Sequence, residues 1–214
     1  MIKSWSELKV RDYQKIVNIS ELNCGDDEKN LRVAAILAEM EYEDFIQLPL
    51  ADIPQYMDNC EFLKEKPIYR KPRKHYKIND KDFVLLKDSV EMTVAQYIDF
   101  QTISVEGFER HIAEMLAIFL VPEGHTYNDG YNNDDVIEDV LDLNMEEAYN
   151  IASFFTKKCI RLYKRSLMYS LAAITTKKIM ARKKEKEMWK AMELEMKLMV
   201  EELNSTFGLV LSKL

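Results

Sequence analysis

Apolar and polar residues follow helical spacing along most of the chain, and this pattern predicts a mainly α protein. The first 63 residues contain four helical stretches, broken at Gly25 and Pro49. Pro54 falls in the first turn of the fourth stretch, a position where the missing N–H group costs little. We therefore expect an N-terminal helical unit over residues 1–63.

A strand pattern follows within residues 64–92. The segment KEKPIYRKPRK is basic and contains two prolines, which is typical of a linker rather than of a core element. Residues 75–78 and 83–86 alternate in polarity on either side of a polar turn. We expect a basic, proline-containing linker and one small β-hairpin here, with the hairpin packed on helices because an isolated one is marginally stable.

Two helices and an acidic loop are expected over residues 93–143. Thr93 and Gln96 form a capping box at the start of the first helix, and Gly107 separates it from an apolar helix at 108–120. An irregular loop follows, and Asp134 is expected to cap a short acidic helix. The apolar side of the first helix is predicted to consist of Val94, Tyr97, Ile98 and Ile103.

The last segment, residues 144–214, reads as a long helical connector with an apolar tail. Asn144 and Glu147 give a capping signal, and neither Gly nor Pro occurs up to Asn204. An unbroken helix of this length would span roughly 90 Å. A bend near residues 177–184 is an equally good interpretation, because that stretch is basic and has few apolar groups.

Two apolar seams at heptad-like spacing mark the ends of this connector, and such seams are typical of packed helix pairs. Its length favours packing on another copy or another protein, although the chain's own helices remain an alternative. The residues predicted to form an oligomer or partner interface are Ala148, Ala152, Phe155, Cys159, Leu162, Trp189, Met192, Met196, Met199 and Leu203, together with Phe207, Leu209 and Leu211 of the tail.

Charge is unevenly distributed in this chain of net charge −7. Ten acids and no Lys or Arg lie within residues 111–156, whereas twelve bases and two acids lie within 157–190. The basic segment could be a solvated face, contact acidic residues 123–147 of this chain or of another copy, or approach DNA phosphates. Its predicted basic face comprises Lys157, Lys158, Arg161, Lys164, Arg165, Lys177, Lys178, Arg182, Lys183 and Lys184.

Catalytic, cofactor and metal motifs are not recognisable in the sequence. The loop at 125–135 has acids, but Tyr127 occupies a position where an EF-hand needs a ligand. His111 and Glu114 lie one helical turn apart, and a metal box would need a second such pair. Apolar runs also stay below the 18 residues of a membrane span. We expect a protein with no enzymatic activity, cofactor, metal or membrane contact.

Several stretches, in order, resemble small virion-assembly proteins of tailed phages that infect Bacteroidetes, including crAss-like phages. They are SWSELKVRDYQKI, FIQLPLADI, the basic proline linker and hairpin, MTVAQYIDFQTI and LAIFLVPEGHTYNDGYNNDDV. The resemblance covers about residues 2–156 and carries no catalytic residues.

This resemblance implies a virion structural protein that forms an oligomeric ring or adaptor at the head–tail connector. Its partners would be further copies of itself, the portal, and adjacent tail or ring proteins, and the basic segment would lie near DNA without reading its sequence. Acidic residues 123–147 would then face the basic segment of the next copy. The main alternative is a tail-assembly chaperone that leaves before maturation, and a weaker one is a DNA-binding regulator.

Overall fold

The computed structural model describes residues 1–86, 92–106 and 110–158, together with 190 and 194. The protein is mainly α-helical and contains one small three-stranded antiparallel sheet, which confirms the predicted fold class. It divides into two compact units, Met1–Phe154 and Phe155–Leu214. The predicted long helix or helix pair lies mostly outside the described residues. Its described beginning, residues 145–158, is helical.

Four short helices and a 3-10 turn build the N-terminal part. They are α1 (Val10–Ile19), α2 (Asp26–Leu37), α3 (Tyr42–Phe45), α4 (Ile53–Asp58) and the 3-10 turn at Glu61–Lys64. Three acids occupy the first turn of α2, where they favour the positive end of the helix dipole. Ala34 and Ala35 let α2 approach Phe45, whose buried ring packs edge-on against Tyr56.

The sheet contains β1 (His75–Ile78), β2 (Lys81–Leu85) and β3 (Leu120–Pro122), in that spatial order. β1 and β2 are the predicted hairpin, and Asn79 and Asp80 occupy its turn with positive φ angles. β3 was not expected, because the apolar run before Pro122 predicted helix up to Leu120. The helix instead ends at Phe119, and Leu120 pairs with Leu85 of β2. The hairpin is thus stabilised by a third strand.

The main core surrounds α6 (Ile112–Phe119), in which every residue except Glu114 is buried. α6 packs against α5 (Val94–Glu106), α7 (Asn133–Val140) and α1. Asn132, rather than the predicted Asp134, caps α7: its side chain accepts a hydrogen bond from the Asp134 amide. An asparagine two positions earlier can reach the same orphan amides, which is why the sequence assignment was wrong by two residues.

The N-terminal segment before α1 is held by the chain that enters the helical segment 145–158. Lys9 and Asn144 form an isolated antiparallel bridge, and the Met145 amide donates to the Leu8 carbonyl at 2.7 Å. Asn144 caps the helical segment, since its side chain accepts from the Glu147 amide at 2.9 Å. The capping signal in the sequence is thereby confirmed.

Candidate protein-interaction surfaces

The orientation of α5 is fixed by its start. Thr93 and Gln96 exchange the two hydrogen bonds of a capping box, as predicted. The Gln96 amide also donates to the carbonyl of Ile118 at 2.8 Å, and Phe100 packs on Phe119 with ring centroids 5.6 Å apart. Gln96 and Phe100 are buried, so the core-facing side of α5 is the side that carries these two residues.

The opposite side of α5 presents two apolar side chains to solvent. Val94 is 76% exposed and Ile98, one helical turn later, is 55% exposed. Both residues belong to the apolar side predicted for this helix, and at these two positions that side faces solvent. The polar Gln96 takes the core position instead because its amide is satisfied by the capping box and by Ile118. Val94 and Ile98 therefore form an exposed apolar pair on this side of the helix.

The loop between β3 and α7 lies beside α5. The Tyr127 hydroxyl donates to the Asp99 carboxylate at 2.8 Å, and Asp99 directly follows Ile98. Burial, and then the hydrogen bond to this carboxylate, raise the pKa of the Tyr127 hydroxyl well above its ordinary value. The hydroxyl therefore stays protonated and keeps the loop attached. Glu123 and Asp129 are exposed carboxylates of this loop.

Backbone geometry holds this loop in shape. Gly124, Asn128 and Gly130 have positive φ angles of 86°, 60° and 78°. A Cβ atom on Gly130 would lie 2.7 Å from Nδ1 of His125, so the imidazole ring packs directly against a residue that has room only for hydrogen. His125 also packs edge-on against Tyr131. His125 therefore has a packing role, whereas His111 pairs with Glu114 at 3.2 Å.

About half of the acids within 123–147 are engaged by bases of the same chain. Asp142 forms salt bridges with Lys9 at 2.9 Å and with Arg11 at 3.0 Å. Asp139 forms a salt bridge with Lys81 at 2.7 Å. The hydrogen bond from Lys9, with help from Asn79 and the charge of Arg11, lowers the pKa of Asp142. The bond to Asp139 raises the pKa of Lys81. The remaining exposed acids of this segment are Glu123, Asp129, Asp134, Asp135 and Glu138.

The predicted linker is an extended strap, residues 65–74, that lies on the helical segment 145–158. The Arg70 amide donates to the buried Asn150 side chain at 2.6 Å, and the Arg70 guanidinium pairs with Glu146 at 3.4 Å. Arg73 pairs with Glu147 and lies over the ring of Tyr76. These contacts were not predicted, because nothing in a basic proline-containing sequence shows which acids will meet it.

The outer side of the strap carries apolar and basic groups. Pro67 is buried, whereas the next residue, Ile68, is 75% exposed. Lys71 and Lys74 are also exposed. We refer to Ile68, Lys71 and Lys74 as the strap surface. The strap thus has an inner side that anchors it to its own chain and an outer side that faces solvent.

The described part of the predicted interface seam is buried. Ala148, Ala152 and Phe155 have no measurable exposure. Their burial within one chain gives these side chains a packing role in the monomer, while contact of this seam with another copy stays a prediction. Of the predicted basic face, Lys157 is exposed and Lys158 is partly exposed. The remaining seam, tail and basic-face residues (Cys159, Leu162, Trp189, Met192, Met196, Met199, Leu203, Phe207, Leu209, Leu211, Arg161, Lys164, Arg165, Lys177, Lys178, Arg182, Lys183 and Lys184) lie outside the described residues.

A groove of about 480 Å³ opens between α1, α2 and the start of α3. Both basic side chains of its lining are paired: Lys15 bonds to Asp12, and Arg32 bonds to Glu28 while lying 4.0 Å from the centroid of the Tyr42 ring. In residues 1–86, 92–106 and 110–158, no three His, Cys, Asp or Glu side chains come together as a metal site requires. Within the same ranges, no helix is both long and apolar enough to cross a membrane.

Comparison of the chain with protein-family models, curated proteins and solved structures gives no match.

Proposed function

We propose that this chain is a structural protein of a tailed phage without enzymatic activity, and that its copies form a ring at the head–tail connector. The observation that carries this proposal is the exposed pair Val94 and Ile98 on α5. The two side chains stand on a helix whose other face is fixed in the core by Gln96 and Phe100, so they cannot turn inward without breaking the capping box. A contact with another protein chain would remove this apolar area from water.

The order of the sequence stretches supports the phage assignment, because over about residues 2–156 it resembles small proteins of virion-assembly gene blocks. Assembly proteins of this kind act through surfaces rather than through reactions. The portal and the adjacent tail or ring proteins would contact the faces of such a ring, and DNA would pass through its centre.

Native mass spectrometry of the purified chain tests the ring. A closed oligomer of one fixed subunit number is the expected result, and it should persist when the protein is diluted into the low micromolar range. A monomer at every concentration would contradict the proposal. The oligomer should also weaken in the double variant Val94→Ser with Ile98→Ser. This variant removes the apolar contact area, and both changed side chains stay on the solvent-exposed side of the helix.

A tail-assembly chaperone is the second candidate, and the internal pairing of Asp139, Asp142, Glu146 and Glu147 favours it. Because these four acids are bound by their own chain, fewer remain for the acid–base contact between copies that a ring was expected to use. A chaperone would instead cover an apolar partner with α5 and leave before maturation. Retention in mature particles separates the two candidates.

A further inference from the structure

A strongly basic stretch runs along the strap and into β1. Residues 64–77, which we refer to as the basic strip, contain seven Lys or Arg and a single acid, Glu65, in a chain whose net charge is −7. All seven basic residues are exposed. The strip is therefore a local positive surface on an acidic protein, and it is separate in sequence from the basic segment 157–190.

Two lysines of the strip are not engaged by acids of their own chain. Four of the seven bases form salt bridges within the molecule, and these are Lys64, Arg70, Arg73 and Lys77. Lys71 and Lys74 form no salt bridge with any residue in the part of the chain that the structure describes. Each of these lysines directly follows an arginine that is anchored, so the strip alternates between anchored and unpaired charge.

The spacing of these bases gives the strap two sides. Arg70 and Arg73 lie three residues apart and pair with adjacent acids of one helix. A period of three residues is that of the polyproline II conformation, which Pro72 between the two arginines favours. With the same period, Lys71 and Lys74 share another side of the strap and lie roughly 9 Å apart along it, at about 3.1 Å per residue.

We propose that Lys71 and Lys74 bind phosphate groups of a nucleic acid strand. One strand of B-DNA carries a phosphate for about every 3.4 Å of helix axis, so two ammonium groups roughly 9 Å apart reach different phosphates of the same strand. Tyr69 is 40% exposed, and an exposed aromatic ring beside basic residues is typical of surfaces that bind nucleic acid strands. Lysine binds phosphate as a point charge, so the contact requires no particular base sequence. The inference goes beyond the ring, because one chain carries the complete strip.

The strap is held in place before a nucleic acid arrives. The Arg70 amide donates to the buried Asn150 side chain at 2.6 Å, and the Trp5 indole donates to the Glu65 carbonyl at 2.9 Å. These contacts fix the backbone that carries the two lysines, which lowers the entropy lost on binding. The two carboxylates that the strap arginines contact are neutralised by those arginines, and this reduces their repulsion of phosphate.

Fluorescence anisotropy of a labelled DNA duplex of about 20 base pairs, titrated with the full-length chain between about 50 and 200 mM salt, tests the contact. Lys71→Gln with Lys74→Gln should weaken binding about tenfold at the lowest salt, and should lower the slope of log affinity against log salt by about two, because two phosphate contacts are lost. The matched control Lys3→Gln with Lys15→Gln removes two exposed charges elsewhere and should change neither quantity. Ile68→Ser should also leave binding unchanged, because a phosphate contact requires charge rather than an apolar side chain.

The outcomes separate the strap from other surfaces and from the ring. A loss confined to the strap variant would support the proposal, whatever DNA binding the segment 157–190 adds. Absence of DNA binding by the wild-type chain at about 50 mM salt, or equal losses in the strap and control variants, would overturn it. If the strap variant and Ile68→Ser both weaken the oligomer while DNA binding is unchanged, the strap contacts protein instead. Native mass spectrometry of the wild-type chain decides the ring separately, and circular dichroism confirms that each variant retains its helices.

Discussion

The Lys9 ammonium group lies 2.9 Å from a carboxylate oxygen of Asp142, although 133 residues separate the two in sequence. Arg11 reaches the other oxygen of the same carboxylate at 3.0 Å. These pairs lie next to the backbone bridge between Lys9 and Asn144, so charge and backbone contacts hold the start of α1 against the entrance of the helical segment 145–158. An acid that the sequence assigned to contacts between copies therefore fastens one chain to itself.

Replacing Asp142 by Asn should lower stability in a pH-dependent manner. The folded pKa of Asp142 lies below its unfolded value, so its contribution is complete above the ordinary aspartate pKa of about 3.9 and is lost as the pH falls through the folded pKa. We expect a loss of about 1 kcal/mol at pH 7 in urea unfolding, shrinking below pH 3.9. A wild-type advantage that grows as the pH falls would contradict this account.

Substitutions at Gly124 and Gly130 of the β3–α7 loop distinguish the cost of backbone strain from the cost of a steric clash. Gly124→Ala introduces a Cβ at a φ of 86° with no neighbouring atom within 4 Å, and should cost about 1–2 kcal/mol. Gly130→Ala adds a contact with the His125 ring and should cost more than that. Chemical denaturation of both variants makes the comparison. Equal losses would show that His125 moves aside freely.

Removing the Asn150 side chain should loosen the strap without unfolding the core. Asn150→Ala leaves the Arg70 amide without its acceptor, at a cost of about 1 kcal/mol or more. We expect trypsin to cut after Arg70 about five-fold faster or more, because a locally opened strap is the form that the protease cleaves. The control Gln47→Ala removes an exposed amide and should leave the cleavage rate unchanged. Equal cleavage rates in Asn150→Ala and wild type would show that the salt bridges alone hold the strap.

Core and surface leucines should differ strongly in their effect on stability. Leu116 of α6 has no exposed area, so Leu116→Ala should lower the free energy of unfolding by about 2–5 kcal/mol. Leu50 is 86% exposed, and Leu50→Ala should change it by less than about 0.5 kcal/mol. Thermal or urea unfolding measures both. A comparable loss at Leu50 would reveal a contact of this residue with another chain.

Local signals in the sequence predicted several elements correctly. The Thr93–Gln96 capping box, the Asn144 cap and the β1–β2 hairpin all depend on residues within a few positions of one another. The third strand was missed because a tertiary contact decides it. Leu120 joins a strand because Leu85 offers a free edge, and this pairing across 35 positions has no local signature.

The candidate surfaces were harder to predict from the sequence than the fold. The apolar periodicity of α5 cannot distinguish a face that packs on α6 from one that faces solvent. Burial of Gln96 could not be predicted from the sequence, because a polar side chain is buried only where specific partners form hydrogen bonds with it. Here those partners are Thr93 and Ile118. The partition of the acids between Lys9, Arg11, Lys81, Arg70 and Arg73 likewise depends on long-range folding.

Quantitative mass spectrometry of purified mature phage particles tests the proposed function most directly. We expect this chain to be present in a fixed ratio to the portal protein and to resist removal by salt washes that strip loosely bound proteins. Its absence from mature particles, together with its presence in lysates of infected cells, would contradict the connector ring and support the assembly chaperone.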